Sequence, residues 1–132
     1  MILVDTSALY ALADAGDARH RDAVQILERL EDEGEEFLLH TYILLETFAL
    51  LQNRHGFAIA VKASQETRKF RTITVDRSLH DEAVAWLRGN PRRGPSLVDS
   101  VSFLVMRRER VKEAFAFDED FVQEGFRLAG TR

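Results

Sequence analysis

The sequence predicts an α/β fold of three layers, α/β/α, with helices covering both faces of a central, mainly parallel sheet of four to five strands. Three observations predict it. Short apolar or β-branched runs at residues 1–4, 36–40, 70–75 and 111–117 alternate with helical patterns from end to end. Two of these runs have short, wholly apolar centres, at residues 1–4 and 37–39, as strands buried on both faces have. Helical stretches separate each run from the next, and helical crossovers of that kind are what parallel neighbours need. With 132 residues, 45% of them apolar, the chain is expected to form one domain, residues 1–132, around a single core.

The first strand ends abruptly in Asp5-Thr6-Ser7, and Ala8 to Ala13 then supply good helix formers without Gly or Pro. Ala15-Gly16-Asp17 interrupts the pattern, and Asp17 is placed to cap an amphipathic helix over residues 18–33, with Ala23, Val24, Leu27 and Leu30 on its apolar face. Gly34 stops it, and residues 36–40 form the second strand. A helix from Thr41 to about Arg54 follows, in which Glu46 is the only charged residue before Asn53. Residues 58–69 read as a further helix and residues 70–75 as the third strand, which ends in Asp76 as the first ends in Asp5.

Residues 78–88 form a helix with Leu79, Ala83, Trp86 and Leu87 inward, and the loop at residues 90–95 holds both prolines. Ser96-Leu97-Val98-Asp99 has the spacing of a capping box and opens the next helix, which runs to Arg108. The fourth strand, residues 111–117, closes in Asp118-Glu119-Asp120 before a helical turn, and residues 125–129 supply a short edge strand.

Composition narrows the function classes. Cysteine is absent, which rules out disulfides and thiolate metal sites and fits a reducing compartment. No apolar stretch approaches the ~20 residues of a membrane span, and the N-terminal run lacks the basic flank of a signal peptide, so a cytoplasmic protein with no membrane partner is expected. The four histidines, His20, His40, His55 and His80, show no paired ligand spacing, which argues against zinc. The net charge of −4 is uneven: residues 1–50 are strongly acidic, whereas the remainder is net basic, with groups at Arg68, Lys69 and Arg71, at Arg92 and Arg93, and at Arg107, Arg108, Arg110 and Lys112. An acidic centre with basic flanks suits a polyanion held by metal at one point and by Arg at others.

In a parallel sheet the strands end on one side, so Asp5, Asp76 and Asp118 emerge along one edge, with Asp99 opening a helix near it. Glu46 lies about one and a half turns into the helix after the second strand, within reach of the same edge. Several carboxylates in one crevice repel one another, and a hard divalent cation with oxygen ligands relieves that repulsion.

Asp5-Thr6-Ser7 after the N-terminal strand, the lone Glu46 in an apolar helix, Ser96-Leu97-Val98-Asp99-Ser100 and Phe117-Asp118-Glu119-Asp120-Phe121 together resemble the PIN-domain ribonucleases, and within them the VapC toxins of toxin–antitoxin pairs. The resemblance runs nearly the whole length in order and spacing. It implies a PIN-like fold and Mg²⁺- or Mn²⁺-dependent hydrolysis of RNA phosphodiesters, with Asp5, Glu46, Asp99 and Asp118 as the acids of catalysis and metal binding. Ser7 matches a supporting hydroxyl, and Asp120 a position that is variably acidic or His. Arg92 and Arg93 are candidates for contact with the RNA backbone, as is the segment from Arg107 to Lys112. The resemblance also implies a cognate antitoxin protein and a homodimer.

Other readings make different use of the same residues. A PIN-type processing nuclease outside any toxin–antitoxin pair would keep the four acids. A receiver-type phospho-acceptor domain would take Asp76 as acceptor but needs a second acid beside Asp5, where Thr6 and Ser7 stand. A haloacid dehalogenase-type phosphatase needs Asp at position 7. A non-catalytic binding module would have no use for the four acids.

Overall fold

The computed structural model describes residues 1–91 and 94–131, the last of these in its backbone only. The elements follow in the order β1 (Ile2–Val4), α1 (Thr6–Ala13), α2 (His20–Asp32), β2 (Phe37–His40), α3 (Thr41–His55), α4 (Phe57–Glu66), a 3-10 turn (Thr67–Lys69), β3 (Arg71–Ile73), α5 (Arg77–Gly89), α6 (Leu97–Arg108), β4 (Glu113–Phe115), α7 (Asp120–Gln123), β5 (Arg127–Leu128) and a final 3-10 turn (Ala129–Thr131). The five strands form one sheet in the order β3-β2-β1-β4-β5, and every pairing is parallel.

This order places a topological switch beside β1. The chain leaves β1 for β2 and β3 on one side, then crosses back to lay β4 on the other, with Ile2 level with Glu113 and Val4 with Phe115. Connections from β1 and β4 therefore diverge to opposite faces, and a crevice opens above their C-terminal ends. Ile2, Leu3 and Val4 are at most 1% exposed, which is why a strand of three residues can be wholly apolar.

Packing follows the crossovers. Helices α1 to α4 pack against one another, and α5 packs on α6. Beside α6 the fully buried Phe103 gathers Trp86, Phe121 and Phe126, with ring centroids 5.5, 5.2 and 6.0 Å away. Such pairs contribute ~0.5–1.5 kcal/mol each beyond their buried area. They fix α7 against α6, which matters because Asp99 lies on α6 and Asp120 on α7.

Several elements are shorter than the sequence implies, for local hydrogen-bonding reasons. The fourth strand ends at Phe115 because the Phe117 N–H leaves the ladder for Ser7 Oγ, 3.0 Å away. The third ends at Ile73, and the Val75 N–H donates to Thr41 Oγ1 at 3.0 Å. Asp17 does not cap α2: its Oδ1 accepts the Arg19 N–H at 2.8 Å in a turn before the helix, and Arg19 stands at the N-cap without a side-chain bond. The run at residues 58–69 is a helix only to Glu66 and then tightens into the 3-10 turn. Among the described residues no helix is long and apolar enough to cross a membrane.

Candidate active site

Asp5 follows the last residue of β1 and caps α1. Its N–H continues the sheet by donating to Phe115 O at 3.0 Å, so β4 holds it in place. Its Oδ2 accepts both the Ser7 N–H, at 3.1 Å, and the Ser7 hydroxyl, at 2.7 Å. Ser7 Oγ also accepts the Phe117 N–H, so one hydroxyl ties the end of β1 to the segment after β4. Asp5 is 4% exposed.

Asp99 is the third residue of α6. The capping box expected from Ser96 is present: the Asp99 N–H donates to Ser96 Oγ at 3.1 Å and the Ser96 N–H to Asp99 Oδ2 at 2.9 Å. Capping and convergence are compatible here, because one Asp99 oxygen is bonded to Ser96 while the residue still faces Asp118. Asp118 accepts the Asp120 N–H on Oδ1 at 2.9 Å, which folds the start of α7 back over it. Asp99, Asp118 and Asp120 each present one carboxylate oxygen, and these oxygens lie within 4.8 Å of one another.

Electrostatics bring Asp5 and Glu46 into the same group. Burial lifts the Asp5 carboxyl to about 6, against two opposing hydrogen bonds from Ser7, and the charges of Asp118 and Glu46 push it the same way. Burial likewise lifts Asp99 to about 7, assisted by Asp5 and Asp118. These groups therefore share a field. The donor set is carboxylate throughout, and its excess negative charge in a partly desolvated crevice fits a hard divalent ion.

Of the residues singled out in the sequence, Asp5, Asp99 and Asp118 act on one another electrostatically at the β1/β4 crevice, and the Glu46 charge reaches Asp5. Asp120 joins Asp99 and Asp118 more closely than its family position led us to expect. Asp76 stands apart in role: its Oδ1 caps α5 by accepting the Leu79 N–H at 2.8 Å, and it lines a shallow hollow with Tyr42, Val75, Arg77 and His80. Arg92 and Arg93 lie outside the described residues. Arg107 and Arg108 sit about 12–14 Å along α6 from Asp99, at the opposite end of that helix. There they pair with Glu124 and Glu82 at the surface, away from the acidic residues.

Two features were not legible in the sequence. His40, fully buried at the end of β2, is held neutral by burial, which drops it to about 3, with Nε2 2.8 Å from Ser102 Oγ on α6. Arg19 stacks its guanidinium over the Phe117 ring, 5.3 Å from its centroid, next to Asp118. Neither partner is close in sequence, so spacing carried no signal.

A family model for the PIN domain matches residues 2–126. The 23S rRNA-specific endonuclease VapC20 of Mycobacterium tuberculosis strain CDC 1551 is 38% identical over 128 residues, covering 96% of this chain and 95% of the relative, and its counterpart in strain H37Rv gives the same figures. The crystal structure of M. tuberculosis VapC20, described as a sarcin–ricin loop cleaving toxin, aligns with a TM-score of 0.84 at 37% identity over 96% of both chains. Sequence and backbone agree along almost the entire length, and the chain belongs to the PIN-domain family, in its VapC branch.

Proposed function

We propose that this protein is a Mg²⁺- or Mn²⁺-dependent endoribonuclease and the toxin of a toxin–antitoxin pair. One observation supports the site assignment: burial, with the charges of Asp118 and Glu46 on Asp5 and of Asp5 and Asp118 on Asp99, raises the Asp5 and Asp99 pKa values to about 6 and about 7. A cluster so costly to ionise is favourable when a cation compensates it.

Asp5, Asp99 and Asp118 would hold the ion, with Glu46 across the crevice and Asp120 beside Asp99 and Asp118. Bound there, the metal supplies a water of lowered pKa and polarises the scissile phosphate, so no Ser or Cys nucleophile is needed. The remaining work belongs to the chain. Ser7 keeps the Asp5 carboxylate turned into the crevice, and Ser96 fixes Asp99 by the reciprocal cap. Burial of the strand ends keeps bulk water from the inner side of the cluster.

The relatives' names supply the substrate class. A structured loop of 23S ribosomal RNA is the proposed target here too, and a cognate antitoxin the proposed protein partner. A homodimer and a cytoplasmic site of action belong to the same reading. The test is incubation of the purified chain with a stem–loop RNA of the sarcin–ricin sequence in Mn²⁺ or Mg²⁺. Cleavage at a defined bond, abolished by EDTA, is expected, and no cleavage in either metal overturns the nuclease reading. Growth arrest on expression of the chain alone, relieved by a co-expressed antitoxin, separates a toxin from a processing nuclease.

A further inference from the structure

Beside the acidic crevice lies a cleft of about 620 Å³, walled by α2 on one side and by the segments after β4 and β5 on the other. Its position ties it to the site. Phe117 and Glu119, which line it, flank Asp118 directly, and the Phe117 backbone is the one held by Ser7. Consecutive Cα atoms are ~3.8 Å apart, so the Phe117 and Glu119 walls of the cleft stand within a nucleotide's length of Asp118.

The lining is not that of a phosphate cradle. Arg19 and Arg29 line it together with the carboxylates of Asp22 and Glu119, Arg29 being engaged by Glu33 and the Ala129 carbonyl; the Gln25 amide offers both a donor and an acceptor, and the half-buried Phe117 ring forms part of the wall. A phosphate would meet two carboxylates there. A nucleobase suits the same surroundings, since its face stacks on aromatic rings or guanidinium planes and its edge carries both donors and acceptors. The Arg19 guanidinium already lies over the Phe117 ring, 5.3 Å from the centroid, and Arg19 itself is exposed, so its outer face is open to a second planar group.

We infer that this cleft is a base-binding subsite, in which an unpaired base next to the scissile phosphodiester stacks on the Arg19–Phe117 pair. The inference rests on the nuclease reading and adds to it the residues that select the cut position. α2 and its N-cap thereby have a role beyond covering the sheet, carried by Arg19 at the cap and by Asp22 and Gln25 in the helix.

The experiment measures binding in Ca²⁺, by fluorescence anisotropy, of a sarcin–ricin stem–loop RNA and of a series in which each loop nucleotide in turn is abasic. With the parent protein, one abasic position beside the cut weakens binding about ten-fold. Arg19→Ala weakens binding of the intact RNA about ten-fold and responds less than two-fold to that same abasic position. Phe117→Leu does likewise, and both variants keep the parent's Mn²⁺-induced rise in melting temperature, which a general loss of structure would not leave in place. If no abasic position matters to the parent, or if the losses from Arg19→Ala and the abasic site multiply independently, the subsite is wrong while cleavage by the parent leaves the nuclease reading standing. If the parent neither binds nor cuts the stem–loop, both fall together.

Discussion

Gly94 lies so close to Asp120 that a Cβ on residue 94 would stand 2.8 Å from Oδ1 and 2.9 Å from Oδ2 of that carboxylate. The same residue has φ of +121°, a conformation that L side chains rarely adopt. The loop before α6 and the start of α7 are thus in contact through a position that tolerates no side chain without moving an acid of the site.

Gly94→Ala is expected to displace the Asp120 carboxylate and weaken Mn²⁺ binding several-fold, read by calorimetric titration. Gly34→Ala serves as control: its φ is +75°, but a Cβ at that residue would meet nothing within 4 Å. It should lower the melting temperature by an amount corresponding to about 1–2 kcal/mol and leave Mn²⁺ affinity unchanged. Equal Mn²⁺ affinity in both variants would remove Asp120 from the metal site.

Asp5→Asn, Glu46→Gln, Asp99→Asn and Asp118→Asn should each lower RNA cleavage by at least about 100-fold with the fold retained by circular dichroism. Asp76→Asn should cleave within about two-fold of the parent, because Asn also accepts a bond from the Leu79 N–H at a helix N-cap. An essential Asp76 with a dispensable Asp99 would instead favour the phospho-acceptor reading.

The raised carboxyl groups set the pH dependence of the metal-free protein. An unfolded Asp titrates near 3.8, whereas folded Asp5 and Asp99 stand at about 6 and about 7. The fold therefore favours their protonated forms, and that contribution is complete below pH 4 and disappears as the pH rises through 6 and 7. For Asp5 alone the rise from 3.8 to about 6 is on the order of 3 kcal/mol. Melting scans in EDTA should give a temperature several degrees higher at pH 5 than at pH 8, and Mn²⁺ affinity should run the opposite way, since binding needs the ionised forms. A flat profile in both measurements would contradict a shared acidic site.

Removing one charge should relieve part of this repulsion. Asp5→Asn or Asp118→Asn is expected to melt at or above the parent temperature in EDTA, although most substitutions destabilise by ~0.5–3 kcal/mol. In Mn²⁺ at ~100 times its dissociation constant the parent gains roughly 2.7 kcal/mol, and the order should reverse. Equal metal-induced shifts in parent and variants would mean that these acids do not hold one ion.

Ser7→Ala deletes the hydroxyl that lowers the Asp5 pKa and accepts the Phe117 N–H. The acidic limb of the cleavage pH profile should move upward, and stability should fall by about 1–3 kcal/mol for the amide left without its acceptor. Ser7→Thr, which keeps the hydroxyl, should restore the parent limb. A loss of stability with no movement of the limb would make Ser7 a purely structural joint.

How much of this was legible beforehand depends on the range of the signal. Strand and helix order followed from short-range patterns, and Asp5, Asp99 and Asp118 were visible because each ends or begins an element. The ends of β3 and β4 were not, since Thr41 and Ser7 capture the Val75 and Phe117 amides from 34 and 110 positions away. Asp120 was underweighted for a similar reason: its closeness to Asp99 depends on how α7 is pressed against α6 by Phe103 and Phe121, a contact without periodicity. Basic runs carry no signal of which side chain stands near the acids. Arg107 and Arg108 cluster in sequence and pair with Glu124 and Glu82 far along α6 from Asp99, whereas Arg19 belongs to no such run.

The strand order has a consequence for the timing of activity. β1 is synthesised first, yet the neighbour that completes its crevice is β4, with Ile2 paired to Glu113. Contacts so distant along the chain form late, and at ~5–20 residues per second a nascent chain spends several seconds as a half-sheet. Through that interval Asp5 has neither its Phe115 tether nor Asp118 beside it. On the proposed reading, a protein that attacks ribosomal RNA then lacks a complete acidic crevice until β4 has left the ribosome making it and paired with β1.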